Sequence, residues 1–216
     1  MAVFEDPAVS ANLARIEAGG ALRVTTGLVG DRYSQGNLTG TIAAALAANA
    51  TVYAMRSNPG GSKKVRIHRV RLQWTTLVAF TTPLTAGRRL AVFRGVGAAA
   101  SGGTALGVTS ERDSLSPASQ CDTAQGGDQR IASTGALTVT GITFEASPFK
   151  VISLAHVGAA GAFFEQVIEF DDDSGGALIL NPGEVMAIRN GSAAMDAAGT
   201  WQLVVNVDWT EVDDLA

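Results

Sequence analysis

The stretch WQLVVNVDW, residues 201–209, constrains this chain more than any other. Trp201, Leu203, Val205, Val207 and Trp209 fall on one parity, and Gln202, Val204, Asn206 and Asp208 on the other. A strand sends successive side chains to opposite faces, whereas a helix repeats every 3.6 residues. The pattern therefore fits a β-strand with one buried face and a tryptophan at each end of it. Such a face must be covered by a second layer, so the chain has to supply more sheet.

The basic run KKVRIHRVRLQW, residues 63–74, supplies a second long strand. Val65 and Ile67 share one parity, while Val70, Leu72 and Trp74 share the other, so the phase slips by one residue at His68-Arg69. A β-bulge restores the register, because it adds one unpaired residue and returns the apolar set to the core. With a bulge, all five apolar residues point inward. Lys64, Arg66 and Arg71 point outward, and His68 or Arg69 sits at the kink. The run is thus one face of a half-buried strand. That basic face is either plainly solvated or meets an acidic protein surface, such as EVDDLA at the chain end or residues 169–173 on neighbouring copies, and Lys64, Arg66, Arg69 and Arg71 are the candidates for such a contact.

Shorter strand patterns follow at 88–95, 136–144, 149–157, 163–170, 176–180 and 184–190. Turns such as SNPGGSK (57–63) and Asn181-Pro182-Gly183 divide them. Residues 41–56, TIAAALAANATVYAMR, read as one or two strands, because Asn49 and Thr51 are poor inside helices and TVYAM favours sheet. Many short strands parted by Gly, Pro and Asn predict an all-β sandwich or barrel over residues 38–216. A Gly/Ala/Ser-rich loop over about 96–135 interrupts it, and a connection of that length is expected to be functional or held by a partner.

Residues 1–37 read as an N-terminal arm. Asp6 can cap a short helix over about 7–18, Pro7 suits its first position, and Gly19-Gly20 can end it. Val9, Leu13 and Ile16 form a single apolar stripe, too short for a core, and are candidates for docking on a partner.

Catalytic chemistry finds little to work with. The only histidines are His68 and His156, on separate strand patterns, and no G-x-S-x-G elbow accompanies them. Neither H-E-x-x-H nor C-x-x-C occurs, and no Gly-rich phosphate loop follows a strand. The one cysteine, Cys121, has no basic neighbour in sequence to lower its pKa. Asp171-Asp172-Asp173 offers hard oxygen ligands but lacks the alternating spacing of a calcium loop, and a solvated turn is the simpler reading. The expectation is a protein that is not an enzyme and holds no cofactor or metal.

Partners are bounded by charge. A formal net charge of −4 argues against a nucleic-acid binder. Charged residues make up 17% of the chain, below the average of about 25%, and such a surface suits a protein covered by neighbours. The opening MAVFEDPAVS carries acids where a leader would carry bases, so no targeting segment is expected. The uncharged stretch 34–55 is broken by Gly36, Asn37, Gly40 and Asn49, and no membrane span is expected. A carbohydrate platform would need exposed aromatics, yet Trp74, Trp201 and Trp209 lie on buried parities. One ring of Phe163-Phe164 must face outward.

Taken together, TIAAALAANATVYAMR, RIHRVRLQW, QRIASTGALT and LILNPGEVMAIRNGSAAMDAAGTWQLVVNVDWTEV resemble a group of tailed-bacteriophage virion proteins. The likeness spans roughly residues 38–212 and leaves the N-terminal arm outside. It implies a jelly-roll-like β-sandwich carried in many copies on the particle without enzymatic activity. The expected role is a capsid decoration (cement) protein on the outer head surface, a homo-oligomer (trimer or dimer) bridging major capsid protein or other virion subunits. A tail or head–tail accessory protein, or a carbohydrate- or receptor-binding module, are the alternatives.

Overall fold

A computed structural model describes residues 3–4, 12–16, 22–26, 30–43, 46–81, 88–107, 110–111, 117–154, 158–170, 177–195 and 198–213. The chain divides into two compact units, Met1–Gly30 and Asp31–Ala216.

The first unit is a three-stranded antiparallel sheet of β1 (Val3–Phe4), β2 (Asn12–Ile16) and β3 (Leu22–Thr26), in that order. Where a helix was expected over residues 7–18, Asn12–Ile16 is a strand, paired with β3 from Asn12↔Thr26 to Ile16↔Leu22. Leu13 and Ile16 are therefore ladder positions opposite Thr25 and Leu22, and the expected helical stripe does not form. The physical reason is length. An isolated helix below about 12–15 residues is marginal in water, whereas the β-favouring LRVTT segment offers a complete ladder close by in sequence. Val9, Asp6, Pro7, Gly19 and Gly20 lie outside the described residues.

The second unit begins at Asp31, earlier than residue 38, because Asp31–Leu38 is itself a strand, β4. The strands that follow are β5 (Thr51–Arg56), β6 (Lys63–Val78), β7 (Arg89–Gly97), β8 (Thr104–Ala105), β9 (Ser110–Glu111) and β10 (Asp128–Ile131). They continue with β11 (Ile142–Phe144), β12 (Lys150–Ser153), β13 (Phe163–Glu169), β14 (Leu178–Leu180), β15 (Glu184–Asn190) and β16 (Thr200–Asp213). One sheet runs β13-β6-β16-β4-β9, with β14 also along β6. The other runs β11-β7-β15-β5-β10-β8, with β12 also along β7. Every pairing is antiparallel, and the two sheets pack face to face as a β-sandwich.

Alternation builds the core. Trp201, Leu203, Val205, Val207 and Trp209 of β16 are buried, as are Val65, Ile67, Val70, Leu72 and Trp74 of β6. Between them the phase slips as the sequence predicts: Asp208 pairs with Arg69 and Trp209 with Ile67, which leaves His68 as the extra residue of a bulge. From the facing sheet come Tyr53, Met55, Leu90, Val92, Met186 and Ile188.

The outer face of the second sheet has its own cover. Ala54 and Val185 pack with Ala100 and Leu137, flanked by Val139 and Ile142. This explains why Thr51–Met55 is buried on both faces, with the small Ala54 on the covered outer side. Residues 41–50, read as possible strand, contribute only an isolated bridge from Ile42 to Trp201 among those described. The stretch 96–135 is likewise no single loop. It holds β8, β9, a 3-10 turn at Thr123–Gln125, and β10, which pairs with β5 over four residues.

Candidate interaction surface

The exposed face of the first sheet carries the basic residues singled out above. Because β16 lies beside β6, the acidic end of one runs along the basic start of the other: Asp213↔Lys63, Val212↔Lys64, Thr210↔Arg66 and Asp208↔Arg69. Arg69 pairs with Asp208, its Nε donating at 2.8 Å. On the other flank, Arg71 grips Glu165 of β13 with Nε at 3.1 Å and Nη2 at 2.9 Å, and Gln73 donates to the same carboxylate at 2.8 Å. These bonds hold the Glu165 carboxyl below its ordinary pKa. Lys64 and Arg66 are half-buried on the same strand.

Lys63 closes the row with an ion pair to Asp31 at 2.6 Å. Burial works to lower its pKa, but the bond to Asp31 and the charges of Asp31, Asp213 and Glu211 together raise it. His68, at the bulge, bonds to Thr210; burial and then the positive charges of Arg66 and Arg32 lower its pKa. The carboxylates that answer Arg69 and Arg71 thus come from the same chain. The charge complementarity expected between copies is already found within one sheet.

Glu211 was expected in an exposed acidic tail, and it is instead buried. It continues the inward parity of β16 past Trp209. Its Oε1 accepts from Ser119 Oγ at 2.6 Å and from Trp209 Nε1 at 3.3 Å, and the backbone N–H of Gln120 donates at 2.9 Å. Burial raises its pKa despite those donors. This carboxylate ties residues 119–120 to the last strand, so that part of the long connection is held from inside. Cys121 beside it is buried and free of disulfide, and burial followed by the Glu211 charge pushes its thiol well above the ordinary value. The parity of Glu211 was the signal in sequence that could have revealed this anchor.

The aromatic side chains are mostly withdrawn. Trp74, Trp201, Trp209, Tyr33 and Tyr53 are all buried, the two tyrosines included. Phe163 points outward and is 59% exposed, while Phe164 packs against the core, so the pair divides as expected. Among the described residues, no three His, Cys, Asp or Glu are grouped to hold a metal ion, and no helix is long and apolar enough to cross a membrane. His156 and Asp171-Asp172-Asp173 lie outside the described residues.

No protein-family model matches the chain, and no curated protein matches its sequence.

Proposed function

We propose that this chain is a virion structural protein of a tailed bacteriophage, and specifically a capsid decoration (cement) protein on the outer head surface. The observation that carries the reading is the order of the strands. Within the sheets, β4-β16-β6-β13 faces β5-β15-β7-β12, so the late strands β15 and β16 return to insert between early ones. Such returns are the mark of Greek keys, and two of them make a jelly roll, an architecture shared by viral capsid and lectin domains. Of those two uses, the lectin-type reading is the weaker, because both tyrosines and all three tryptophans are buried.

In this reading the role is mechanical. The sheet surface of the sandwich meets neighbouring subunits, and the N-terminal unit is a second docking element. The N-terminal unit, with strands of 2, 5 and 5 residues, is a small sheet suited to docking. Binding across a joint between major capsid protein subunits stabilises the joined state by mass action, and no catalytic step is involved. A tail or head–tail accessory protein of the same fold is the neighbouring reading.

The test is composition of the particle. Density-purified virions from the source of the sequence are expected to contain the chain at a fixed ratio to the major capsid protein. Particles stripped of it should lose their heads at lower temperature, and adding purified chain should reverse that loss. Absence from purified virions overturns the proposal, and a ratio of only a few copies per particle moves the assignment to the tail.

A further inference from the structure

We infer that β13 pairs antiparallel with β13 of a second copy, about a two-fold axis at Gln166, so that one sheet runs through a homodimer. The argument starts from the backbone. β13 ends its sheet, and among the described residues no strand adjoins its outer side. Its ladder with β6 is regular from Phe163↔Thr75 to Glu169↔Arg69, without a bulge. Thr76 N–H donates to the Ala162 carbonyl and Phe170 N–H to the His68 carbonyl. By alternation, the even-numbered residues of β13 bond to β6, and the odd-numbered ones turn N–H and C=O to the outer edge, where Gln166 Nε2 donates to the Val167 carbonyl at 2.8 Å and gives way to the incoming strand. Edge strands are commonly blunted by charged side chains, Pro, a bulge or a short length. β13 has seven residues, FFEQVIE, with no Pro and no bulge, and of its two charges Glu165 is already held by Arg71.

Side chains choose the occupant and the register. Pairing β13 with itself about Glu165 sets two glutamates face to face, and pairing about Val167 sets Glu165 opposite Glu169. Pairing about Gln166 avoids both: Phe163 faces Glu169, Glu165 faces Val167, and Phe164 faces Ile168 while the two Gln166 residues stand opposite each other. Like charges directly opposite are destabilising and apolar cross-strand pairs are favourable, so this register is the self-complementary one. The same edge concentrates exposed apolar surface. Phe163 and Val167 of β13 stand on it, and Val151 of β12, which lines one groove with Phe164, Gln166 and Val167, is 57% exposed. A two-fold pair uses the same patch on both copies and covers that groove twice.

This goes beyond the virion reading by narrowing its oligomer to a two-fold dimer, and its test needs no particle, so either can fail without the other. Light scattering on the size-exclusion peak of the whole chain should give twice 22.1 kDa. Val167→Pro removes one outward N–H and leaves the ladder to β6 intact, because Pro is tolerated where the N–H faces away from the sheet. It should give a single-chain mass with unchanged far-UV circular dichroism. As a second measurement, Gln166→Cys should cross-link to a covalent dimer under mild oxidation. Residues opposite in a non-hydrogen-bonded antiparallel pair lie about 4.5 Å apart at Cα, within disulfide range, whereas Glu165→Cys sits out of line with its own copy and should link poorly. A wild-type chain of single mass overturns the inference and leaves the edge to a strand from another protein. A dimer untouched by Val167→Pro, or linked equally well through position 165, overturns it too.

Discussion

Trp74 and Trp201 stack in the core with ring centroids 3.8 Å apart and planes 13° from parallel. They belong to adjacent strands, β6 and β16, and Trp74 Nε1 donates to Thr76 Oγ1 at 2.9 Å, so the polar handle of a fully buried ring is satisfied. At the other end of β16, Trp209 stacks on Tyr33 at 5.8 Å, and the Tyr33 hydroxyl donates to the Pro117 carbonyl at 2.7 Å. Two aromatic pairs thus close the two ends of the same central strand. Trp201→Ala should cost about 3–5 kcal/mol of unfolding free energy in urea titration, as large-to-small changes of buried aromatics do. Leu38→Ala, at an exposed position of β4, should change it by less than about 0.5 kcal/mol. Equal effects of the two would show that the core assignment is mistaken.

Glu211 gives a prediction with a sign. Burial raises its pKa in the folded chain above the value of about 4.3 in the unfolded one. The folded state therefore holds this proton more tightly. The associated stability is fully present below the unfolded pKa and is lost as pH rises through the folded pKa. Relative to Glu211→Gln, the wild type should become less stable as pH climbs from 4 towards neutrality, measured by urea midpoints. A difference that is flat with pH, or grows in the wild type's favour, would contradict this.

Removing the same carboxylate should also release the segment it holds. Glu211→Ala leaves Ser119 Oγ, Gln120 N–H and Trp209 Nε1 without their common acceptor, and a buried polar group so stranded costs about 1–3 kcal/mol. Limited proteolysis should then cut near residues 117–121 well before the rest of the sandwich. Protection equal to wild type would mean that other contacts hold the segment.

The bulge makes an unusual deletion tolerable. His68 is the residue without a position opposite β16, so deleting it turns that ladder regular, at the cost of the bond from Phe170 N–H to its carbonyl, and keeps Val65, Ile67, Val70, Leu72 and Trp74 on the inner face. Deleting Arg71 forces Val70 out of phase with Leu72. The first variant should fold with a modest loss of melting temperature, and the second should fail to give a cooperative transition in calorimetry. The reverse order would remove the bulge as the explanation of the phase slip.

Two glycines should behave differently on substitution by alanine. At Gly97 φ is +141°, and an added Cβ would meet the Gly141 carbonyl oxygen at 2.0 Å, a backbone atom that cannot swing away. At Gly36 the added Cβ would meet Asn206 Oδ1 at 2.3 Å, the far end of a rotatable side chain. Gly97→Ala should therefore cost about 1–3 kcal/mol and Gly36→Ala less, read from paired urea curves.

What the sequence yields here follows from the range of the interaction. The β6 bulge and the burial of three tryptophans were legible because alternation along a strand is a local signal. The N-terminal helix misled because Val9, Leu13 and Ile16 fit a helical spacing, yet Asn12–Ile16 finds its hydrogen bonds in Leu22–Thr26. The fate of the basic run was illegible for a different reason. Arg69 meets Asp208 and Arg71 meets Glu165 only once the strand order is known, and those pairs are separated by 139 and 94 residues. Glu211 stood on the inward parity in plain view, but composition alone classed it with an acidic tail.

The place of β16 has a consequence for how the chain is made. It lies between β4 and β6, two strands translated long before it, and joins them over most of its length. Until residues 200–213 have left the ribosome, β4 and β6 each wait with an unfilled edge and Trp74 lacks the Trp201 ring on which it stacks. The sandwich therefore closes only once β16 has been made. A nascent chain held in that open state is the form most exposed to aggregation, and the one on which a chaperone would act.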